Sequence, residues 1–178
     1  MNGPSTRYQR GIKMKWRLFY IGLGLLTGAV YLAMVLWSLP EIMAEADGLK
    51  PFDLRPFGYS PRAAELFLDA LSEEGRVFYG ETQHALDTLF PALLAIWGSW
   101  TAALLFRGPV AWALIAAAGL GCGADYAENA AVAGLLQGFD AGLAIEASRW
   151  TLVKSASVTV LLGGLLWGFV RRLRGARR

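Results

Sequence analysis

Where the charges of this chain sit relative to its apolar runs constrains the fold more than any other feature. Three basic stretches, Arg7 to Arg17, Arg107 and Arg171 to Arg178, carry 11 of the 17 Lys and Arg residues and no acid. The stretches between them, 41–87 and 125–154, hold all 14 acids together with six basic residues. Each apolar run therefore joins a basic end to an acidic one. Excess Lys and Arg mark the loops that stay on the cytoplasmic side of a membrane. The pattern predicts four membrane-spanning helices with both termini cytoplasmic.

The hydropathy supports this reading. A 55% hydrophobic composition is gathered into runs long enough to cross a hydrocarbon core, which takes roughly 20 helical residues at about 1.5 Å each. Span one is expected at about 18–40. Its uncharged run from Leu18 to Pro40 is 23 residues long, past the roughly 7–15 apolar residues of a cleaved leader, so it reads as a retained helix. Span two is expected at about 86–106, span three at 109–130 and span four at 149–170, with a basic cytoplasmic tail, 171–178, after it. Arg107-Gly108-Pro109 is a tight turn that makes spans two and three an antiparallel hairpin. The basic pI of about 9.2 comes from short clusters beside the spans, which suit anionic lipid headgroups; nucleic acid is not expected as a partner.

Between spans one and two, residues 41–75 form the longest acidic-side segment. Pro51, Pro56 and Gly58 exclude a long helix over 41–60, and Phe52, Leu54, Phe57 and Tyr59 argue for an ordered loop against the membrane or the bundle. Ser60-Pro61 is a helix start. Leu66, Phe67, Ala70 and Leu71 then share one face, predicting an amphipathic helix that ends at Gly75 and lies on the periplasmic surface. Pro40 is the expected end of span one. Three Gly-x-x-x-Gly pairs, 24/28, 119/123 and 164/168, are candidates for close helix approach. The expected fold is thus an all-α bundle of four transmembrane helices with a periplasmic amphipathic helix between spans one and two.

Depth along the helices singles out the candidate functional residues. Asp125 lies 16 residues beyond Pro109, roughly 24 Å along a helix, and Lys154 lies 17 residues before Arg171, roughly 26 Å. Asp87 and Glu128 come out at about 28–30 Å, with Arg149 and His84 higher still. Asp125, Glu128 and Asn129, spaced i, i+3, i+4, share a face that must look into the protein, since polar groups facing lipid are costly. The expectation is a pocket near the periplasmic leaflet walled by His84, Asp87, Asp125, Glu128, Asn129, Arg149, Lys154 and Ser155. Competing with it is a purely structural reading, in which Asp125 pairs with Lys154, and Glu128 or Asp87 with Arg149, to fix helix register.

Other chemistries find less support. Cys122 is the only cysteine, so an intrachain disulfide and a Cys-x-x-Cys redox pair are excluded. His84-x-x-Asp87 with Asp125-x-x-Glu128 has the ligand types of a carboxylate-rich bundle site, but a single histidine and competing Arg149 and Lys154 weigh against a metal. No catalytic motif names a reaction. No cofactor is expected.

The segments Glu74-Gly75-Arg76-x-x-Tyr79, Leu86-Asp87-Thr88-Leu89-Phe90-Pro91 and Asp125-Tyr126-x-Glu128-Asn129 resemble a group of small bacterial four-span membrane proteins. The similarity covers about 50–150. It implies fold and inner-membrane location and brings no activity, substrate or catalytic residue. The leading functional expectation is a non-enzymatic membrane protein that binds a lipid or small amphiphile, or serves as an accessory subunit of a larger membrane complex. The alternatives are an intramembrane enzyme acting on a lipid headgroup or isoprenoid through Asp125, Glu128, Asp87 and His84, and an assembly protein.

Overall fold

The computed structural model describes residues 6–175, with side-chain surroundings from Met14 onward. Residues 176–178, the end of the expected basic tail, lie outside the described residues. The described residues form helices joined by turns and one longer loop, with no strand among them, and four of the helical stretches are long and apolar enough to cross a membrane: Met14–Ala44, Glu73–Leu105, Pro109–Gln137 and Ala141–Gly175.

The first rod is α1 (Thr6–Ala33), a π-helical turn at Met34–Ser38, and α2 (Leu39–Ala44), running on without a break. It passes the expected stop at Pro40. The Leu39 N–H closes the widened turn on the Met34 carbonyl, so Pro40 enters in the first turn of a new helical register. There its missing N–H and its ring do least harm.

A turn comes next, with Asp47 and Gly48 at positive φ (51° and 79°) and the Gly48 N–H on the Met43 carbonyl at 2.8 Å. The loop beyond it is a plug. Phe52, fully buried, packs against Tyr59, Phe67 and Tyr79, with ring centroids 4.9, 5.0 and 6.3 Å away. Burying each such phenyl group contributes about 1.5–3 kcal/mol. Arg55 lies over the rings of Phe52, Tyr59 and Phe67 and donates to the Lys50 and Ala63 carbonyls. Phe57 alone of the loop aromatics is exposed.

Helix α3 (Pro61–Ala70) starts as the sequence predicts: the Ser60 hydroxyl accepts from the Ala63 N–H and Pro61 opens the first turn. Its end differs. It stops at Ala70, Leu71 is extended, and Ser72 caps a new helix, α4 (Glu73–Phe78), that contains Gly75. A Cβ on Gly75 would come 2.7 Å from both Glu45 Cβ and Leu71 Cδ1, so glycine serves close approach here. The apolar face of α3, with Ala64, Phe67 and Leu68, is buried in the core and packs against the fourth spanning helix. The helix covers the bundle end.

A second π-helical turn, Tyr79–Gln83, joins α4 to α5 (His84–Leu105), so the second rod begins well before 86. At Arg107 the chain reverses through Gly108 (φ 65°), and Pro109 opens α6 (Pro109–Gln137); α7 (Ala141–Gly175) completes the bundle. Helices α5, α6 and α7 pack on one another, while α1 packs mainly on α5, with Tyr20 against Trp97 and Tyr31 against Phe90, and Trp37 of the first π-helical turn meets Phe78 of α4. Of the three glycine pairs, Gly24, Gly164 and Gly168 receive Trp97, Leu114 and Phe106, whereas Gly28, Gly119 and Gly123 face open space.

Two apolar clusters result. One lies under the plug and includes Ile42, Phe52, Phe67, Leu68 and Leu135; the other lies toward Arg107 and includes Leu94, Phe106, Leu114, Leu161 and Leu165. A buried polar layer, Asp87, Asp125, Glu128, Asn129 and Thr151, separates them.

Candidate functional site

The polar layer is held by three helices in register. On α6, Asp125, Glu128 and Asn129 share the inward face that their spacing demands, and all three are buried. Lys154 reaches from α7 to both acids, its Nζ 3.2 Å from Asp125 Oδ1 and 2.5 Å from Glu128 Oε2. The equal depth expected of Asp125 and Lys154 is met by this contact. Thr151, one turn before Lys154, donates to Glu128 Oε1 at 2.6 Å. Asn129 donates to the Asp87 carbonyl at 2.9 Å and so ties α6 to α5.

Above this layer a second polar chain descends from the plug. Asp53 accepts from the Tyr79 hydroxyl at 2.5 Å and, more weakly, from Gln83 Nε2 at 3.4 Å. Gln83 Oε1 accepts from the buried Ser38 hydroxyl at 2.5 Å, joining the two π-helical turns. The Tyr59 N–H is held by Ser148 at 2.8 Å, while its hydroxyl is buried with no hydrogen-bond partner among the described residues. Burial, reinforced by the Glu128 charge, pushes the Tyr59 phenol well above its ordinary range, so it stays neutral. Burial likewise lowers the Arg55 guanidinium, against the pull of Tyr59 and Tyr79.

The two polar groups meet at a cavity of about 320 Å³. Asp53, Leu54 and Pro56 roof it, and Asp87, Asp125, Lys154 and Ser155 form its charged wall. Its other side is Tyr31, Met34, Val35 and Leu39 from the first rod, facing Val158 and Thr159 of α7, with Phe90 of α5 between. This volume lies at the small end of the range typical of ligand sites. A larger hollow of about 710 Å³, beside Leu68, Arg76, Leu136 and Phe139, contains none of the expected site residues.

Asp87 has an unusual position. The residue is 4% exposed and faces the cavity, where its carboxyl group is hydrogen-bonded with that of Asp53 and, among the described residues, meets no base. Lys154, the one base in the cavity wall, is turned toward Asp125 and Glu128.

Of the eight residues expected to wall the pocket, four line the cavity, Asp87, Asp125, Lys154 and Ser155, while Glu128 and Asn129 lie in the buried polar layer outside its lining. Arg149 does neither. It is exposed and lines a separate surface hollow with Glu146 and Trp150. Five residues before Lys154, it stands about 140° around the helix, so the expected pairing of Glu128 or Asp87 with Arg149 is replaced by Lys154. His84 is half-exposed and outside the cavity; the buried Gln83 takes the inward position. Asp53, Tyr79, Gln83 and Thr151 are the residues that depth along the spans does not find. The one signal for Asp53 is a lone acid within the apolar, proline-bounded stretch Pro51 to Leu54. Among the described residues, no three His, Cys, Asp or Glu side chains converge in an arrangement that would hold a metal ion.

No protein-family model, no curated protein and no solved structure matches the chain.

Proposed function

We propose that this chain is a multi-pass protein of a bacterial inner membrane, with both termini cytoplasmic, that binds a lipid or small amphiphile in the cavity beneath the plug. The charge asymmetry of the loops supports the orientation, which puts the cavity in the periplasmic leaflet. The resemblance to small bacterial four-span proteins supports the membrane.

One observation carries the reading. A charged wall of Asp87, Asp125, Lys154 and Ser155 shares one cavity with an apolar side of Met34, Val35, Leu39 and Val158. Polar and apolar surfaces meeting in one small cavity at the edge of a bilayer match a ligand with a headgroup and a chain. Native mass spectrometry of the protein extracted from its own membrane in mild detergent tests this. A stoichiometric adduct of a few hundred daltons, lost in Asp125→Asn, is the expected result; a bare chain, or one retained only within a larger assembly, moves the function to an accessory role.

The Lys154 clasp favours a second, structural reading for part of the layer. Glu128, Thr151 and Asn129 face one another or the backbone and stand outside the cavity lining, so their role is to hold α5, α6 and α7 in register.

A further inference from the structure

The charge balance of the cavity bears on what kind of headgroup it accepts. Four carboxyl groups, Asp53, Asp87, Asp125 and Glu128, are gathered around one ammonium, Lys154, and Lys154 is engaged by two of them. Asp53 is met by the neutral donors Tyr79 and Gln83 and by the Asp87 carboxyl. Asp87 is buried, faces the cavity and has no basic partner among the described residues; it meets only the Asp53 carboxyl, with which it must share a proton. Arg55, the cation of the plug, is committed elsewhere, over aromatic rings and on backbone carbonyls. Two carboxyl groups in contact out of water ionise together only beside a positive charge, and the group that would take the place of their shared proton is a cation with N–H donors or a compact positive charge. A phosphate or carboxylate headgroup would find no free base and would face Asp53 and Asp87.

The second observation is the way in. The first rod and α7 flank the cavity without packing closely on each other, the first rod resting on α5 and α7 mainly on α6. The gap between them is edged by Tyr31 and Thr159, both exposed, and by the half-buried Val35 and Val158. It faces the surface that a surrounding bilayer would cover. A soluble cation would have no use for such an edge, whereas an alkyl chain would lie along it.

We propose that the cavity takes a cationic amphiphile, an alkylammonium whose head seats against Asp87 between Asp53 and Asp125 and whose chain leaves between α1 and α7 into lipid. This rests on the amphiphile reading above and adds the sign of the headgroup and the route. The full-length protein in phosphatidylcholine nanodiscs is titrated with tetradecylamine, tetradecanol, tetradecyl sulfate and ethylammonium, and adducts are counted by native mass spectrometry. The expected result is an affinity for the amine at least about tenfold above that for the alcohol, corresponding to about 1.4 kcal/mol, with the sulfate weaker than both. Asp87→Asn removes the preference for the amine over the alcohol. Val35→Trp, at the edge of the gap, weakens amine and alcohol alike.

Equal binding of amine and alcohol, both lost in Val35→Trp, overturns the cationic assignment while the amphiphile reading stands. Binding of none of the chained probes overturns both. Ethylammonium binding as tightly as the amine makes the site one for a free cation and overturns the route. The comparison of the four probes is made on the unaltered chain, so it decides the matter even if a variant fails to fold.

Discussion

Lys154 and Asp87 show how differently two buried charges in one layer can be treated. Lys154 satisfies Asp125 and Glu128 together, and removing it leaves both acids without their counter-charge. Lys154→Met is expected to lower stability by about 3–5 kcal/mol, the usual cost of breaking a buried pair from one side, read as a fall in the thermal midpoint of the detergent-solubilised protein. Adding Glu128→Gln should recover part of it. Because Lys154 has two partners, exchanging Asp125→Lys with Lys154→Asp should not restore the original stability; a full rescue would show that Glu128 contributes nothing. Tyr59 offers the opposite case. Its hydroxyl is buried without a partner among the described residues, so Tyr59→Phe should be neutral or slightly stabilising. Its raised pKa also fixes a sign. Above about pH 10 the unfolded chain gives up a phenol proton that the folded chain keeps, so stability falls as pH rises through the unfolded value. The fall in stability between about pH 8 and 11 should be shallower for Tyr59→Phe than for the unaltered chain.

At the scale of elements, the two π-helical turns are the departures from regular helix that matter, and they meet through Ser38 and Gln83. Each widened turn re-aims the residues just beyond it, Pro40 in the first rod and His84 in the second. Ser38→Ala would leave the Gln83 carbonyl oxygen buried and unpaired, a loss of about 1–3 kcal/mol. Hydrogen exchange should report it locally, as loosened protection at 34–44 and 79–84; an effect spread evenly over the bundle would contradict the pairing of the turns. The glycines separate in the same way. A methyl on Gly168 would lie 2.6 Å from the Phe106 ring, while one on Gly123 meets nothing within 4 Å. Gly168→Ala should therefore lower the thermal midpoint, and Gly123→Ala should leave it unchanged or raise it through a gain of up to about 1 kcal/mol in helix propensity. The Gly-x-x-x-Gly spacing is the same at both places, and only the neighbours in the bundle distinguish them.

For the whole molecule, depth is legible in the sequence and direction around each helix is not. A rise of about 1.5 Å per residue places Asp125 and Lys154 at one level from residue counts alone, and their contact agrees with it. Depth places Arg149 as well, but it says nothing of which face the residue occupies, and Arg149 points away. The plug is legible as an ordered apolar loop. That Asp53 descends from it into the cavity depends on long-range packing of Phe52 between Tyr59, Phe67 and Tyr79, which no local pattern carries. The same division governs the orientation of the chain across a membrane. The four long helices would cross in either sense; the proposed orientation rests on the loops, since basic stretches such as those at Arg107 and Arg171 resist translocation more than acidic ones. A fluorescent reporter fused after Arg178 should mature and an alkaline phosphatase fused there should stay inactive, with the pattern reversed for fusions at Asp47 or Asp140. Moving several basic residues from the two ends into the 45–60 loop should erode that preference. A phosphatase active at the C-terminus of the unaltered chain would turn the bundle over, putting plug and cavity in the cytoplasmic leaflet, where the supply of amphiphiles is different.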